Sequence, residues 1–166
     1  YDTISKRVCV LGVMAKAPLA GEVKTRLVPP LTEQEAAKLS ICFLRDMAAN
    51  IASVSATGAA SGLVIYTPRG SESAFDGVLP EGFKLLVQRG MSLGDRLYNA
   101  TDDLLTKGYG AVCLINSDSP TLPRSILARA IELLANDGDR VVLGAAEDGG
   151  YYLIGLKHAH RSLFSK

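Results

Sequence analysis

Apolar runs of strand length recur along the chain, at residues 8–15, 63–67, 84–88, 111–116, 141–145 and 151–156. Most are almost continuously apolar, the pattern of strands covered on both faces. Segments of helical period lie between several of them. The clearest opens at Thr32-Glu33-Gln34-Glu35, a capping box in which the hydroxyl and the later carboxylate satisfy orphan amides. Ala36, Leu39, Phe43, Met47 and Ile51 then recur at the spacing of one buried face. A second helix is expected from Ser92 to Gly108, with Leu93, Leu97, Ala100, Leu104 and Leu105 inward. A third follows Pro123, with Ile126, Leu127, Ala130, Ile131 and Leu134 on its face. Residues 72–78 read as a short helix.

Strands alternating with helices predict an α/β fold: one domain, a mostly parallel sheet flanked by helices and joined by right-handed crossovers. In such sheets ligands bind beyond the carboxyl ends of the strands. The unusual residues of this chain fall after the first, third, fourth and fifth apolar runs.

Bulk properties narrow the partners. The formal net charge is +1, so no global field favours nucleic acid or an anionic membrane. Apolar residues make up 48 %, enough for one core in 166 residues, and no run reaches the length of a membrane span. Lys6-Arg7 before the first apolar run loosely mimics a secretion signal, but Lys16 ends that run after residue 15, and a strand is the better reading. Cys9, Cys42 and Cys113 are odd in number, widely spaced and each in an apolar run; buried free thiols in a reducing cytoplasm are expected.

The loop after the first strand runs from Lys16 through Pro18 and Gly21 to Lys24, Thr25 and Arg26. It packs cations, turn-formers and a hydroxyl between a strand and a helix, a composition that suits phosphate binding but is also that of a solvated basic loop. It is not a P-loop, and no GxGxxG follows the strand. Asn116-Ser117-Asp118-Ser119-Pro120 places a carboxylate at a strand tip, where it could hold a hard divalent cation or cap backbone amides in an Asx turn. Glu147-Asp148-Gly149-Gly150 is an acidic turn open to close ligand approach, or simply a hairpin-like turn. Arg89, Gly90 and Arg96 flank a helix start that could add anion affinity, and Ser92 with Asp95 reads as a second capping box. His158 and His160 are a weak metal signal and are expected at the surface; two late histidines build no Ser-His-Asp triad.

Taken together, Ala15-Lys16-Ala17-Pro18 with Gly21-x-Val23-Lys24-Thr25-Arg26-Leu27, then Asn116-Ser117-Asp118-Ser119-Pro120-Thr121-Leu122-Pro123, then Glu147-Asp148-Gly149-Gly150-Tyr151-Tyr152-Leu153 resemble the bacterial nucleotide-diphospho-sugar transferases of GT-A fold, of the radical-SAM/selenodomain-associated or arsenosugar type. A more distant similarity runs to phospholactate guanylyltransferases and molybdenum-cofactor nucleotidyltransferases. The resemblance implies a metal-dependent transferase using a nucleotide or nucleotide-sugar donor and a small-molecule acceptor, with Mg²⁺ or Mn²⁺. It implies Lys16, Lys24 and Arg26 on the phosphates with Gly21 and Thr25 in their loop. Asp118, beside Ser117, would be on the metal, and Asp148, Gly149 and Gly150 on the acceptor side. The segment from Arg89 and Gly90 to Arg96 would lie near the base. Lys24, Arg26 and Asp148 would be the catalytic set. Glycosyl transfer leads; nucleotidyl transfer with release of pyrophosphate and non-catalytic binding are the alternatives. Members of that family run on for several dozen residues and carry a second acidic motif. This sequence lacks it, so residues 1–166 are expected to be the domain without its C-terminal part.

Overall fold

A computed structural model describes residues 8–165. The elements run β1 (Cys9–Lys16), α1 (Glu33–Ser55), β2 (Ala60–Thr67), β3 (Lys84–Val87), α2 (Leu93–Thr106), β4 (Ala111–Asn116), α3 (Arg124–Ala135), β5 (Val141–Ala145) and β6 (Tyr151–Leu156), with short 3₁₀ turns between. The expected helix at 72–78 is one such turn, Glu72–Phe75.

The strands form one sheet in the order β3-β2-β1-β4-β6-β5. β3, β2, β1 and β4 are parallel, while β6 runs antiparallel to both of its neighbours. β5 therefore points the same way as β4, and the last two strands make a hairpin. Alternation along β1 divides the core. Cys9, Leu11, Val13 and Ala15 join Leu44, Met47 and Ile51 of α1 and Leu127, Ala130 and Leu134 of α3. Val10 and Met14 face the opposite way, toward Leu97, Ala100 and Leu104 of α2. The sheet is thus covered on both faces at its centre, as its continuous apolar strands require.

Several positions differ from expectation. The buried stripe of α1 is Ala36, Ala37, Ser40, Leu44, Met47, Ala48 and Ile51, so Leu39 and Phe43 are only half-buried. That rotation turns Cys42 to solvent, whereas Cys9 and Cys113 are buried and free as expected. Burial pushes the Cys9 thiol up to about 12 and that of Cys113 well above its ordinary value. Leu93 and Ile126 are exposed because each sits in the first turn of its helix, beyond the rim of the sheet. β5 is an edge strand, and its Val141 and Leu143 are exposed rather than covered. No helix among the described residues is long and apolar enough to cross a membrane.

β2 begins three residues before the expected 63, at Ala60, which pairs with Cys9. Gly62 makes that extension possible. A Cβ there would stand 2.5 Å from the Phe83 ring and 2.7 Å from Ile51. Gly62→Ala is expected to destabilise the fold by about 1–3 kcal/mol through overpacking, read as a lower urea midpoint at unchanged slope.

Both expected capping boxes form. Thr32 and Ser92 accept from the amides of Glu35 and Asp95, whose carboxylates reach back. The backbone amide of Thr32, then its hydroxyl, holds the Glu35 carboxyl below its ordinary 4.5. A depressed carboxyl stabilises the fold above that ordinary value and loses the contribution as pH falls through the folded-state value. Unfolding midpoints should therefore drop below pH 4.5 in the wild type, and Glu35→Gln should flatten that acid limb. Superimposable pH profiles for the two proteins would contradict this.

Candidate site at the strand switch point

The chain winds outward from β1 to β2 and β3, then returns across the sheet through α2 to β4. The connections after β1 and β4 consequently leave in opposite directions, and the position where open α/β sheets form their ligand crevice lies between them at the carboxyl edge. The loop after β1 is anchored by Ala17, whose amide donates to the Thr67 carbonyl at 2.8 Å, and by buried Val23. Lys24 follows in a left-handed conformation, φ 49° and ψ 35°. It is the one non-glycine with positive φ among the described residues, and that conformation costs about 1–2 kcal/mol.

Two contacts hold Lys24 there. Its Nζ donates to Asp118 Oδ1 at 2.7 Å, joining the loops that follow β1 and β4. The same ammonium lies 4.0 Å from the centroid of the Phe43 ring on α1, a cation–π contact worth about 0.5–1 kcal/mol or more. The partners differ in access: the Lys24 side chain is 12 % exposed and that of Asp118 73 %. Lys24 is enveloped, and Asp118 presents its second carboxylate oxygen to solvent. The Asp118 amide donates to Asn116 Oδ1 at 3.1 Å, so the Asx turn at this strand tip is made by Asn116 and leaves the Asp118 carboxylate free of backbone capping. Ser117 is half-buried between them.

The remaining candidates divide by what already holds them. Arg26 and Thr25 are exposed in the short 3₁₀ turn Thr25–Leu27, with no hydrogen bond or ion pair from their side chains among the described residues. Lys16 pairs with Glu22 at 3.1 Å. Arg89 donates to both oxygens of Asp103, at 3.0 and 2.6 Å. Arg96 donates to the Gly90 carbonyl at 3.2 Å, closing the loop before α2. Gly90 has φ 128°, and a Cβ there would meet Asp95 Cβ at 2.6 Å, so only glycine fits. Gln88 braces this rim by donating to the Ile65 and Ala15 carbonyls of β2 and β1.

Asp148, Gly149 and Gly150 form the tip of the β5–β6 hairpin, all exposed, with the Gly150 amide donating to Asp148 Oδ1 at 3.0 Å. Since Leu153 of β6 pairs with Ile115 of β4, this turn lies beside the 117–120 loop on the same edge. No bond joins it to Lys24 or Asp118 among the described residues. An open cavity of about 230 Å³ is lined by Gly21, Val23, Thr25, Val28 and Glu33. Its one charged lining residue is Glu33, and Gly21 lies on its rim.

Two partners of the site were invisible in the sequence. Phe43 read as one more core position, and only the packing of α1 puts its ring under an ammonium 19 positions earlier in the chain. The partnership of Asn116 with the Asp118 amide competed with the reading in which Asp118 itself caps.

A family profile described as "Uncharacterized protein conserved in bacteria (DUF2064)" matches residues 50–166. The chain belongs to this family. Among solved structures, one provisionally described as a nucleotide-diphospho-sugar transferase, from Desulfovibrio desulfuricans G20, superposes on the DUF2064 chain with a TM-score of 0.83 at 29 % identity. It covers 98 % of this chain and 68 % of its own. The 4-diphosphocytidyl-2C-methyl-D-erythritol synthase of Anaerococcus prevotii DSM 20548 has a TM-score of 0.57 at 7 % identity, over 95 % and 72 % of the two chains. A CMP:2-keto-3-deoxy-manno-octonic acid synthetase solved with CTP has a TM-score of 0.54 at 12 % identity, over 95 % and 76 %. The last two establish fold alone. No curated protein matches the DUF2064 chain. The fold is that of the nucleotide-diphospho-sugar transferases, as the sequence motifs implied.

The cross-loop pair can be weighed directly. A double-mutant cycle of Lys24→Met and Asp118→Asn, read by urea unfolding, should give a coupling energy of about 0.2–1 kcal/mol, the size of a partly exposed ion pair. A coupling of zero would mean that the two loops are not joined in solution.

Proposed function

We propose that this DUF2064 domain transfers a glycosyl group from a nucleotide-diphospho-sugar to a small-molecule acceptor. The observation that carries the proposal is the meeting of the loops after β1 and β4 at the switch point, through Lys24 and Asp118. The likeness to the Desulfovibrio protein, over nearly the whole of this chain, supports the same reading.

In this reading Arg26 meets the diphosphate first, since its guanidinium is uncommitted and can engage two oxygens. Lys24 follows by releasing Asp118 and turning to the phosphate, with Thr25 adding a hydroxyl and Lys16 a peripheral charge. Ser117 and the exposed backbone of Gly149 and Gly150 line the approach, the glycine amides themselves being held within the turn. Asp148 takes the proton of the acceptor hydroxyl as its oxygen bonds to the anomeric carbon. The bond from that carbon to the diphosphate breaks, and nucleoside diphosphate leaves. The loop from Arg89 through Gly90 to Arg96 faces the base as a preformed frame, because Asp103 and the Gly90 carbonyl already occupy its guanidinium groups.

The donor set suits Mg²⁺ or Mn²⁺ of one kind. Asp118 offers one exposed oxygen, and no third carboxylate or imidazole joins it in a cluster among the described residues. That fits an ion that keeps most of its water and shares one carboxylate with substrate phosphates, not a protein cage. When bound, such an ion would neutralise charge on the departing diphosphate.

The cytidylyl-transferring relatives of the fold favour one second reading. The acceptor would then attack the α-phosphorus and release pyrophosphate. Products separate the two: nucleoside diphosphate for glycosyl transfer, pyrophosphate for nucleotidyl transfer. Calorimetry with nucleotide sugars should show binding strengthened by Mn²⁺. Asp118→Asn should remove that strengthening, and Arg26→Ala should weaken binding by roughly tenfold, the loss of a charge-assisted bidentate contact. Binding indifferent to metal and to Asp118→Asn would leave a binding domain without transferase chemistry.

A further inference from the structure

The opposite edge of the sheet carries a second group of chemistry-bearing side chains. Asp139 precedes β5, and His158 and His160 follow β6. Because β6 runs antiparallel, with Leu156 beside both Val112 and Val141, these residues gather at the amino edge of the parallel strands. They are separated from the Lys24–Asp118 crevice by the length of β4, roughly 17 Å at 3.3 Å per residue.

His158 Nδ1 lies 2.9 Å from Asp139 Oδ1, and His160 Nε2 lies 2.6 Å from Asp139 Oδ2. The three potential ligand atoms fall within 4.8 Å of one another, and among the described residues no other His, Cys, Asp and Glu side chains converge in this way. We propose that Asp139, His158 and His160 form a three-ligand site for a first-row divalent transition metal of the Zn²⁺ type.

The ligand chemistry selects the ion. Two imidazoles with one carboxylate suit Zn²⁺, Co²⁺ and Ni²⁺, whereas Mg²⁺ and Ca²⁺ prefer oxygen alone. Ligands of a tetrahedral Zn²⁺ stand about 2.1 Å from the ion and hence about 3.4 Å from one another. Since the three atoms already lie within 4.8 Å of one another, reaching that spacing needs side-chain shifts on the order of 1 Å, within rotamer adjustment. The carboxylate already bridges the two rings, so a cation entering between them would find all three ligands gathered, with Asp139 kept as one of them. Water completes the coordination on the solvent side.

The backbone around the three residues is tied down. Lys157 Nζ donates to the Asn136 carbonyl at 2.6 Å, stapling the histidine segment to the turn that carries Asp139. The Asn136 side chain caps α3 through the Glu132 and Leu133 carbonyls. On the far side Arg161 pairs with Asp95 at 3.1 Å and lies over the Tyr98 ring, fixing the chain just after His160 to α2. The neighbouring cations are occupied: Lys157 as above, and Arg140 by the Asp137 carbonyl. Neither is paired with the Asp139 carboxylate.

The test uses the untagged full chain with Cys42→Ser as background, which removes the exposed thiol as a rival ligand. Zn²⁺ is titrated calorimetrically in excess Mg²⁺, which saturates any oxygen-only site and leaves the imidazole site to Zn²⁺. One Zn²⁺ should bind per chain, with affinity reduced roughly tenfold or more in each of His158→Ala, His160→Ala and Asp139→Asn. Co²⁺ should give the visible absorption of a low-coordinate nitrogen–oxygen site in the wild type and lose it in the His158→Ala/His160→Ala double variant. Thermal unfolding without metal should be the same in all of them, since the three side chains are at the surface. Zn²⁺ binding that survives the double variant, or no stoichiometric binding at all, would overturn the proposal.

Discussion

The reversal of winding between β1 and β4 is the constraint on which the rest of this molecule depends. Strands on one side of β1 are added through α1, and the return to β4 passes over the opposite face through α2. Both faces of the central strands are therefore covered, and β1 must be apolar at consecutive positions instead of alternate ones. The same reversal parts the two loops at the carboxyl edge and leaves them facing each other. Lys24 and Asp118, 94 positions apart, meet because of topology and not because of anything local to either segment. A slip of one residue in the β1–β4 register would exchange the two halves of the core and undo that meeting.

Charge at the crevice is largely balanced within the protein. Lys16, Lys24 and Arg89 each have a carboxylate partner, and Arg26 does not among the described residues. Under the proposed function, an incoming diphosphate would find one open cation and one that must exchange a partner. The exchange is cheap: a partly exposed ion pair is worth a few tenths of a kcal/mol to about one, while Lys24 also holds an unfavourable backbone conformation that released contacts would let relax. The arrangement resembles a latch more than a rigid cradle.

Much of the fold could be read from residue order because its strands are buried and its helices are capped. Thr32 with Glu35 and Ser92 with Asp95 mark helix starts by mechanism, and both boxes are present. Legibility failed where tertiary contact overrode local pattern. Ala60, Ser61 and Gly62 have little strand preference, yet pairing with β1 and the close packing of Phe83 make them strand. The face of α1 depends on two sheet-side neighbours, and a shift by one position was enough to expose Cys42. The antiparallel course of β6 follows from the hairpin at residues 146–150, which the paired glycines hinted at without specifying. For the candidate site, loop composition and the family resemblance pointed to segments that the fold gathers at one edge of the sheet, but pairing could not be inferred. That Arg89 belongs to Asp103, and that Asp139 joins two histidines, required the fold.

The position of β6 has a mechanical meaning. This strand of six residues has the acidic glycine turn at one end and the histidine tail at the other, and it is hydrogen-bonded along both flanks. Sliding it would break two ladders at once, and twisting it would expose Leu153, Ile154 and Leu156. The strand therefore behaves as a clamped bar and not as a push-rod. The two clusters at its ends thus share a strand that neither can displace without breaking the ladders on both sides.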